Sequence, residues 1–131
     1  MLKTPIVGRS LILATIFTLA AFAASAALMT AKTMETSIGT VLTDPRGMTL
    51  YTFDKDGMGT SSCTGGCAQN WPPFAAPADA QAHDDWTVIS RDDGSKQWAY
   101  KGKPLYLWSK DMKAGDVGGN GFKDVWHAAK P

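Results

Sequence analysis

Only two cysteines and two histidines occur in the 131 residues, and that scarcity limits the chemistry open to the chain. Cys63 and Cys67 are the one possible disulfide pair. His83 and His127 lie far apart in sequence, with no paired metal-ligand spacing. An excess of one charge is also missing. Thirteen basic residues stand against twelve acidic ones, so there is no basic field to gather nucleic acid and no strongly acidic face. No glycine-rich phosphate loop follows a β-to-α turn, no serine sits in a nucleophile elbow, and no His-Glu helix motif occurs. Past the N-terminal apolar run, no stretch sustains the 3.6-residue apolar period of an amphipathic helix. What remains is strands, turns and loops.

The N-terminal run has the pattern of an export signal. Lys3 and Arg9 make a basic start, and Ser10 to Ala24 is almost wholly apolar or small. Ala24-Ser25-Ala26 offers the small residues that signal peptidase accepts, which places cleavage after Ala26 and a signal peptide over 1–26. The competing reading is a retained membrane anchor, since the apolar run approaches the ~18–20 residues of a span. The alanine-rich end favours removal, so no stable membrane span is expected after cleavage. No cysteine follows the run to accept a lipid, and the expected location is periplasmic or secreted. Cleavage leaves Ala27 to Pro131, a single small domain. All five tryptophans fall within it, which predicts an aromatic core.

The chain repeats itself. Tyr51-x-Phe53-x-x-Asp56 recurs as Tyr106-x-Trp108-x-x-Asp111, 55 residues later. At the same offset Gly39 matches Gly94, Gly47 matches Gly102, Leu50 matches Leu105, Lys55 matches Lys110, Gly66 matches Gly121 and Trp71 matches Trp126. A fixed period across separate glycines, aromatics and acids means two units of one design, neither able to bury its apolar face alone.

Residues 27–37 are polar and alanine-rich and read as a loosely ordered leader, with one β-rich domain over 38–131 built from repeats at about 38–76 and 86–130. In the first repeat, Val41-Leu42-Thr43 and Met48 to Phe53 are predicted strands joined by an Asp44-Pro45-Arg46-Gly47 turn. Cys67 to Trp71 suits a helical turn ended by Pro72-Pro73, and Phe74 to Asp85 links the units. In the second, Trp86 to Ile89 and Lys96 to Tyr100 flank an Asp-Gly turn. Leu105 to Trp108 is another predicted strand, and Asp124 to Ala128 closes the unit. The fold class is therefore mainly β, after an N-terminal signal helix. It is a compact antiparallel sheet, sandwich or barrel-like domain of two pseudo-symmetric hairpin repeats.

The motif residues have a simple structural reading. Tyr51 and Phe53 share one strand face, as do Tyr106 and Trp108. Asp56 and Asp111 fall just past the strand ends, where a carboxylate accepts loop N–H groups. That makes an aromatic core pair plus a loop clamp, with Trp71 and Trp126 as core plugs. The alternative has tyrosine and aspartate converging on a ligand, or Tyr51 or Tyr106 acting as an acid. Duplication argues against catalysis, because an enzyme needs one asymmetric site. Cys63 and Cys67 read as a structural disulfide stiffening one loop, absent from the second unit, where Gly118 and Phe122 stand. A reactive dithiol needs a cationic or helix-terminal setting, and Thr, Gly, Ala and Gln surround this one. A copper set could draw on Cys63, Cys67, Met58, Met112, His83 and His127 if the thiols were reduced. The acidic loop of Asp111, Asp116, Asn120 and Asp124 lacks calcium-loop spacing. No metal or cofactor is assigned.

With Gly47-x-x-Leu50-Tyr51-x-Phe53-x-x-Asp56, Cys63-x-Gly65-x-Cys67-Ala68-x-x-Trp71-Pro72-Pro73 and Gly102-Lys103-Pro104-Leu105-Tyr106-x-Trp108-x-x-Asp111, the chain resembles a bacterial secreted-repeat or predicted-lipoprotein family defined by a Tyr-x-aromatic-x-x-Asp motif. The resemblance spans about Ile38 to Lys130. It implies an exported, β-rich, two-repeat protein with no agreed activity, and the chain departs from it in lacking a lipid-anchor cysteine. The expectation is a non-catalytic binding or envelope-associated module whose ligand or envelope partner is unknown. The alternative is a thiol-redox or copper-handling protein using Cys63 and Cys67.

Overall fold

The computed structural model describes Lys3 and residues 31–131; the expected signal segment over 1–26, Lys3 apart, lies outside them. The first described element is a hairpin of β1 (Lys32–Thr36) and β2 (Gly39–Thr43), paired from Lys32 opposite Thr43 to Thr36 opposite Gly39. The expectation of a loose leader over 27–37 therefore fails for Lys32–Thr36. The strand is mostly polar because it is half-exposed and pairs through its backbone. Its value is to cover the edge of β2, whose Val41 and Leu42 are core residues. The following turn is closed by Gly47 N–H donating to Asp44 O at 2.9 Å, with Gly47 at φ 87°. Asp44 Oδ1 accepts from the backbone N–H of Arg46 and Met48 at 2.9 and 3.0 Å.

The remaining strands are short: β3 (Tyr51–Phe53), β4 (Ala75–Ala76), β5 (Trp86–Ser90), β6 (Lys96–Tyr100), β7 (Lys103–Pro104) and β8 (Trp126–Ala128). A five-residue helix, α1 (Gly66–Asn70), precedes Trp71, and one tight helical turn covers Phe122–Asp124. The fold is mainly strands in antiparallel sheets. β1 pairs β2, β3 pairs β8, and β6 lies between β4 and β5 with β7 also on it. The predicted strand over Leu105–Trp108 is not regular. Tyr106 makes only single bridges, to Tyr51 and to Pro73. On the Pro73 side the facing residues are Pro72 and Pro73, which accept but cannot donate, so a continuous ladder is impossible.

The repeats are interlocked rather than side by side. Tyr51 and Tyr106 face each other and exchange backbone bonds, N–H to O at 2.8 and 2.9 Å. Because they occupy equivalent positions, this pair marks a pseudo-twofold axis. Outside it, Tyr51 opposes Ala128 and Tyr106 opposes Pro73, again equivalent pairs. The motif strand of the first repeat thus pairs with the tail of the second, and the second motif segment with the tail of the first. Bonds come in matched sets: Asp54 N–H to Val125 O (2.8 Å) with Ser109 N–H to Asn70 O (3.0 Å), and Ala129 N–H to Leu50 O (2.8 Å) with Phe74 N–H to Leu105 O (2.8 Å). The core has two clusters. One gathers Leu42, Leu50, Phe74, Trp98 and Leu105. The other, around Tyr51, Trp71, Tyr106, Trp108 and Trp126, lies on the axis.

Candidate functional site

Both motif tyrosines are fully buried, and a buried hydroxyl needs a partner. Each finds it across the axis. The Tyr51 hydroxyl donates to Asp111 Oδ2, and the Tyr106 hydroxyl donates to Asp56 Oδ2 at 2.6 Å. The other oxygen of each aspartate serves its own loop. Asp56 Oδ1 accepts from Ser62 N–H at 2.7 Å, and Asp111 Oδ1 from Gly118 N–H at 3.1 Å. The loop clamp is present, but it is half of what each carboxylate does. Burial pushes both tyrosines well above their ordinary value, and the carboxylate each faces pushes further. Burial also raises Asp56 and Asp111, opposed by the tyrosine bonds. An acid catalyst needs a lowered tyrosine pKa; these move the other way.

The two tyrosine sites differ in their third partners. Gly119 N–H donates to the Tyr51 oxygen at 3.2 Å. A Cβ at Gly119 would lie 2.7 Å from Trp71 Cη2 and 2.9 Å from Tyr51 Cε1, so the loop reaches this hydroxyl only with glycine there. At Tyr106, Ser61 Oγ lies 2.6 Å from the hydroxyl, and Arg91 donates to Ser61 Oγ (3.0 Å), Gln97 Oε1 (2.7 Å) and Cys63 O (2.7 Å). Gln97, fully buried, donates on to Leu105 O at 2.7 Å. Sequence reasoning missed Ser61, Arg91 and Gln97. The equivalent positions to Arg91 and Gln97 hold Thr36 and Leu42, so the period gave no signal for them.

The motif aromatics form one row. Phe53 stacks on Trp126 (ring centroids 4.2 Å), Trp126 on Trp71 (3.8 Å, planes 2° apart) and Trp71 on Trp108 (3.9 Å). The order reads the same from either end, since Phe53 is equivalent to Trp108 and Trp71 to Trp126. Tyr51 and Tyr106 meet Trp71 and Trp126 edge-to-face at 5.4 and 5.2 Å. The two central tryptophans are therefore stacked on each other across the axis, rather than plugging separate units.

Beside this row lies an open hollow of about 370 Å³, within the range of small-molecule sites. All four stacked rings line it, and so do Lys55, Lys110 and Lys123. Lys55 and Lys110 are equivalent, one from each motif. Neither tyrosine and neither motif aspartate lines it.

The other candidate ligands are dispersed. Cys63 and Cys67 form a disulfide with Cα atoms 5.2 Å apart, and neither thiol is free. His127 Nε2 lies 2.8 Å from Asp54 Oδ2, while His83 and Trp98 make a T-shaped ring pair. Met58 and Met112 are exposed. In the acidic loop, Asp116 Oδ2 accepts from Met112 and Lys113 N–H (2.9 and 3.1 Å) and Asn120 Oδ1 from Ala128 N–H (2.9 Å). Among the described residues no group of three His, Cys, Asp or Glu side chains could hold a metal ion, and no helix is long and apolar enough to cross a membrane.

The Lipoprotein_15 family model, described as a secreted repeat of unknown function, matches residues 32–75 and again 87–130. The chain belongs to this family. No curated protein and no solved structure matches it. The two secreted-repeat matches start 55 residues apart, the same period that relates the motifs. The first begins at Lys32, which puts β1 inside the first secreted repeat.

Proposed function

We propose that this secreted-repeat protein is a non-catalytic, exported binding module. Its motif residues brace the fold, and the hollow on the pseudo-twofold axis receives the ligand. One observation carries this reading. The buried motif groups are spent on each other, tyrosine on aspartate and tryptophan on tryptophan, while the motif lysines are not. Lys55 and Lys110 pair with no carboxylate among the described residues, so no ion pair explains their duplication. Export to the periplasm or beyond, through a cleaved signal and without a lipid anchor, is the setting in which the module would work. A thiol-redox or copper role for Cys63 and Cys67 lacks comparable support, because the pair is closed as a disulfide.

The test is an amide NMR titration of the folded chain with a panel of neutral sugars, organic cations, aromatic amides and aromatic acids. Binding by at least one class, with shifts centred on Phe53, Lys55, Asn70, Lys110 and Val125, is expected. No binding by any class, or shifts centred elsewhere, contradicts the reading.

A further inference from the structure

We propose that the hollow is a site for a planar aromatic acid carrying an anionic group at each end; the inference rests on the binding reading above. Lys55, Lys110 and Lys123 line the hollow, and no acidic side chain does. Lys110 and Lys123 lean over the rings of Trp108 and Phe122, at 6.0 and 5.6 Å from their centroids, which holds cationic heads close to the aromatic wall.

That wall presents ring edges rather than ring faces. Trp71 carries Trp126 on one face and Trp108 on the other, each with centroids under 4 Å away. Trp126 likewise lies between Trp71 and Phe53. With both faces covered, these tryptophans can offer only their edges to the hollow. Ring edges are the positive rim of the aromatic quadrupole, and ring faces are negative. An edge-lined wall repels cations, which seek faces. It suits the flat face of a ligand ring lying across it. Tyr51 and Tyr106 already make edge-to-face contacts with the same two tryptophans.

Lys55 and Lys110 are related by the axis that passes between Trp71 and Trp126, so they stand at opposite ends of the row. A ring centred on the axis meets one lysine at each end, and two acidic groups satisfy both. An acid with one such group leaves one lysine of this equivalent pair unused.

Calorimetry on the folded chain, with the disulfide intact, tests this with four probes: naphthalene-2,6-dicarboxylate, 2-naphthoate, naphthalene-2-carboxamide and adipate. The dicarboxylate is expected to bind tighter than 2-naphthoate by about tenfold, the scale of one charge-assisted bond. The amide and the flexible adipate should be weaker still. Lys55→Gln and Lys110→Gln should each weaken the dicarboxylate by about tenfold, and rising salt should weaken it further. Lys96→Gln, on β6 outside the hollow, should change nothing. Equal binding of the amide and the dicarboxylate within the hollow overturns this inference and leaves the binding module standing. Adipate matching the dicarboxylate overturns the aromatic part. If none of the four probes enters the hollow, this inference falls, while the binding module falls only if the neutral sugars and organic cations of the wider panel fail as well.

Discussion

Each motif aspartate divides its two oxygens between its own loop and the tyrosine of the other repeat. Asp56 holds Ser62 and Tyr106, and Asp111 holds Gly118 and Tyr51. A double-mutant cycle reads this directly. Tyr51→Phe with Asp111→Asn, and Tyr106→Phe with Asp56→Asn, should each show a coupling energy of about 1–3 kcal/mol in chemical denaturation. The pairs that share a motif, Tyr51 with Asp56 and Tyr106 with Asp111, should show distinctly less. Equal coupling in both sets would mean the cross-axis bonds carry no special weight. The tyrosines also set an alkaline limit. Their folded pKa values are raised, so the folded state keeps protons that the unfolded chain sheds above the ordinary 10.0. The tyrosines' contribution to stability is therefore intact below pH about 10 and falls above it, by about 1.4 kcal/mol per pH unit for each tyrosine. The Tyr51→Phe/Tyr106→Phe double variant should lose that slope in urea titrations between pH 9 and 11, a window taken around about 10. Asp56 and Asp111 are also raised. By the same sign their contribution is present at low pH and fades as pH rises through their folded values, so they are not the source of acid unfolding. Asp93 and Asp116, lowered by bonds to Ser95 and to Met112, act in the opposite direction.

At the scale of elements, local chemistry was the most legible. The β5–β6 hairpin follows from strands flanking an Asp-Gly turn, with Gly94 N–H closing to Arg91 O at 2.9 Å. The helical turn before Pro72 and the Cys63–Cys67 bridge also lie where spacing and proline chemistry put them. β1 was hidden because Lys32–Thr36 has a single apolar side chain, Met34, and little alternation to read. The 55-residue offset held the missing signal, since it lays the β5 strand beginning at Trp86 over the segment beginning at Ala31. The disulfide belongs to the first repeat alone, and its ring is small. Replacing both cysteines by alanine should cost about 2 kcal/mol. The tryptophan row should survive, because its stacking does not pass through sulfur. Near-ultraviolet circular dichroism checks this: a retained tryptophan signal with a lower melting temperature is expected, and loss of the signal would make the bridge a condition of the fold.

The whole molecule is a closed exchange between two copies of one unit. Sequence periodicity identified which positions are equivalent, down to the lysines that border the hollow. It could not say which copy touches which. A tyrosine reaching the aspartate of its own motif and one reaching across the axis leave the same pattern in the chain, so the interlock was illegible for a physical reason. The hollow was illegible for the same cause, since it exists only where two equivalent sets of residues meet. Interlocking makes folding a property of the pair. Each repeat alone leaves a motif strand without its partner and a buried tyrosine without its acceptor, at a cost per unsatisfied group of about 1–3 kcal/mol. Producing residues 31–76 and 86–131 as separate chains, then together, is the most direct test. Circular dichroism and native mass spectrometry should find no folded monomer of either half, and should recover the tryptophan signal in a one-to-one complex when both are mixed. A folded monomer of one half alone would contradict the interlocked fold on which the rest depends.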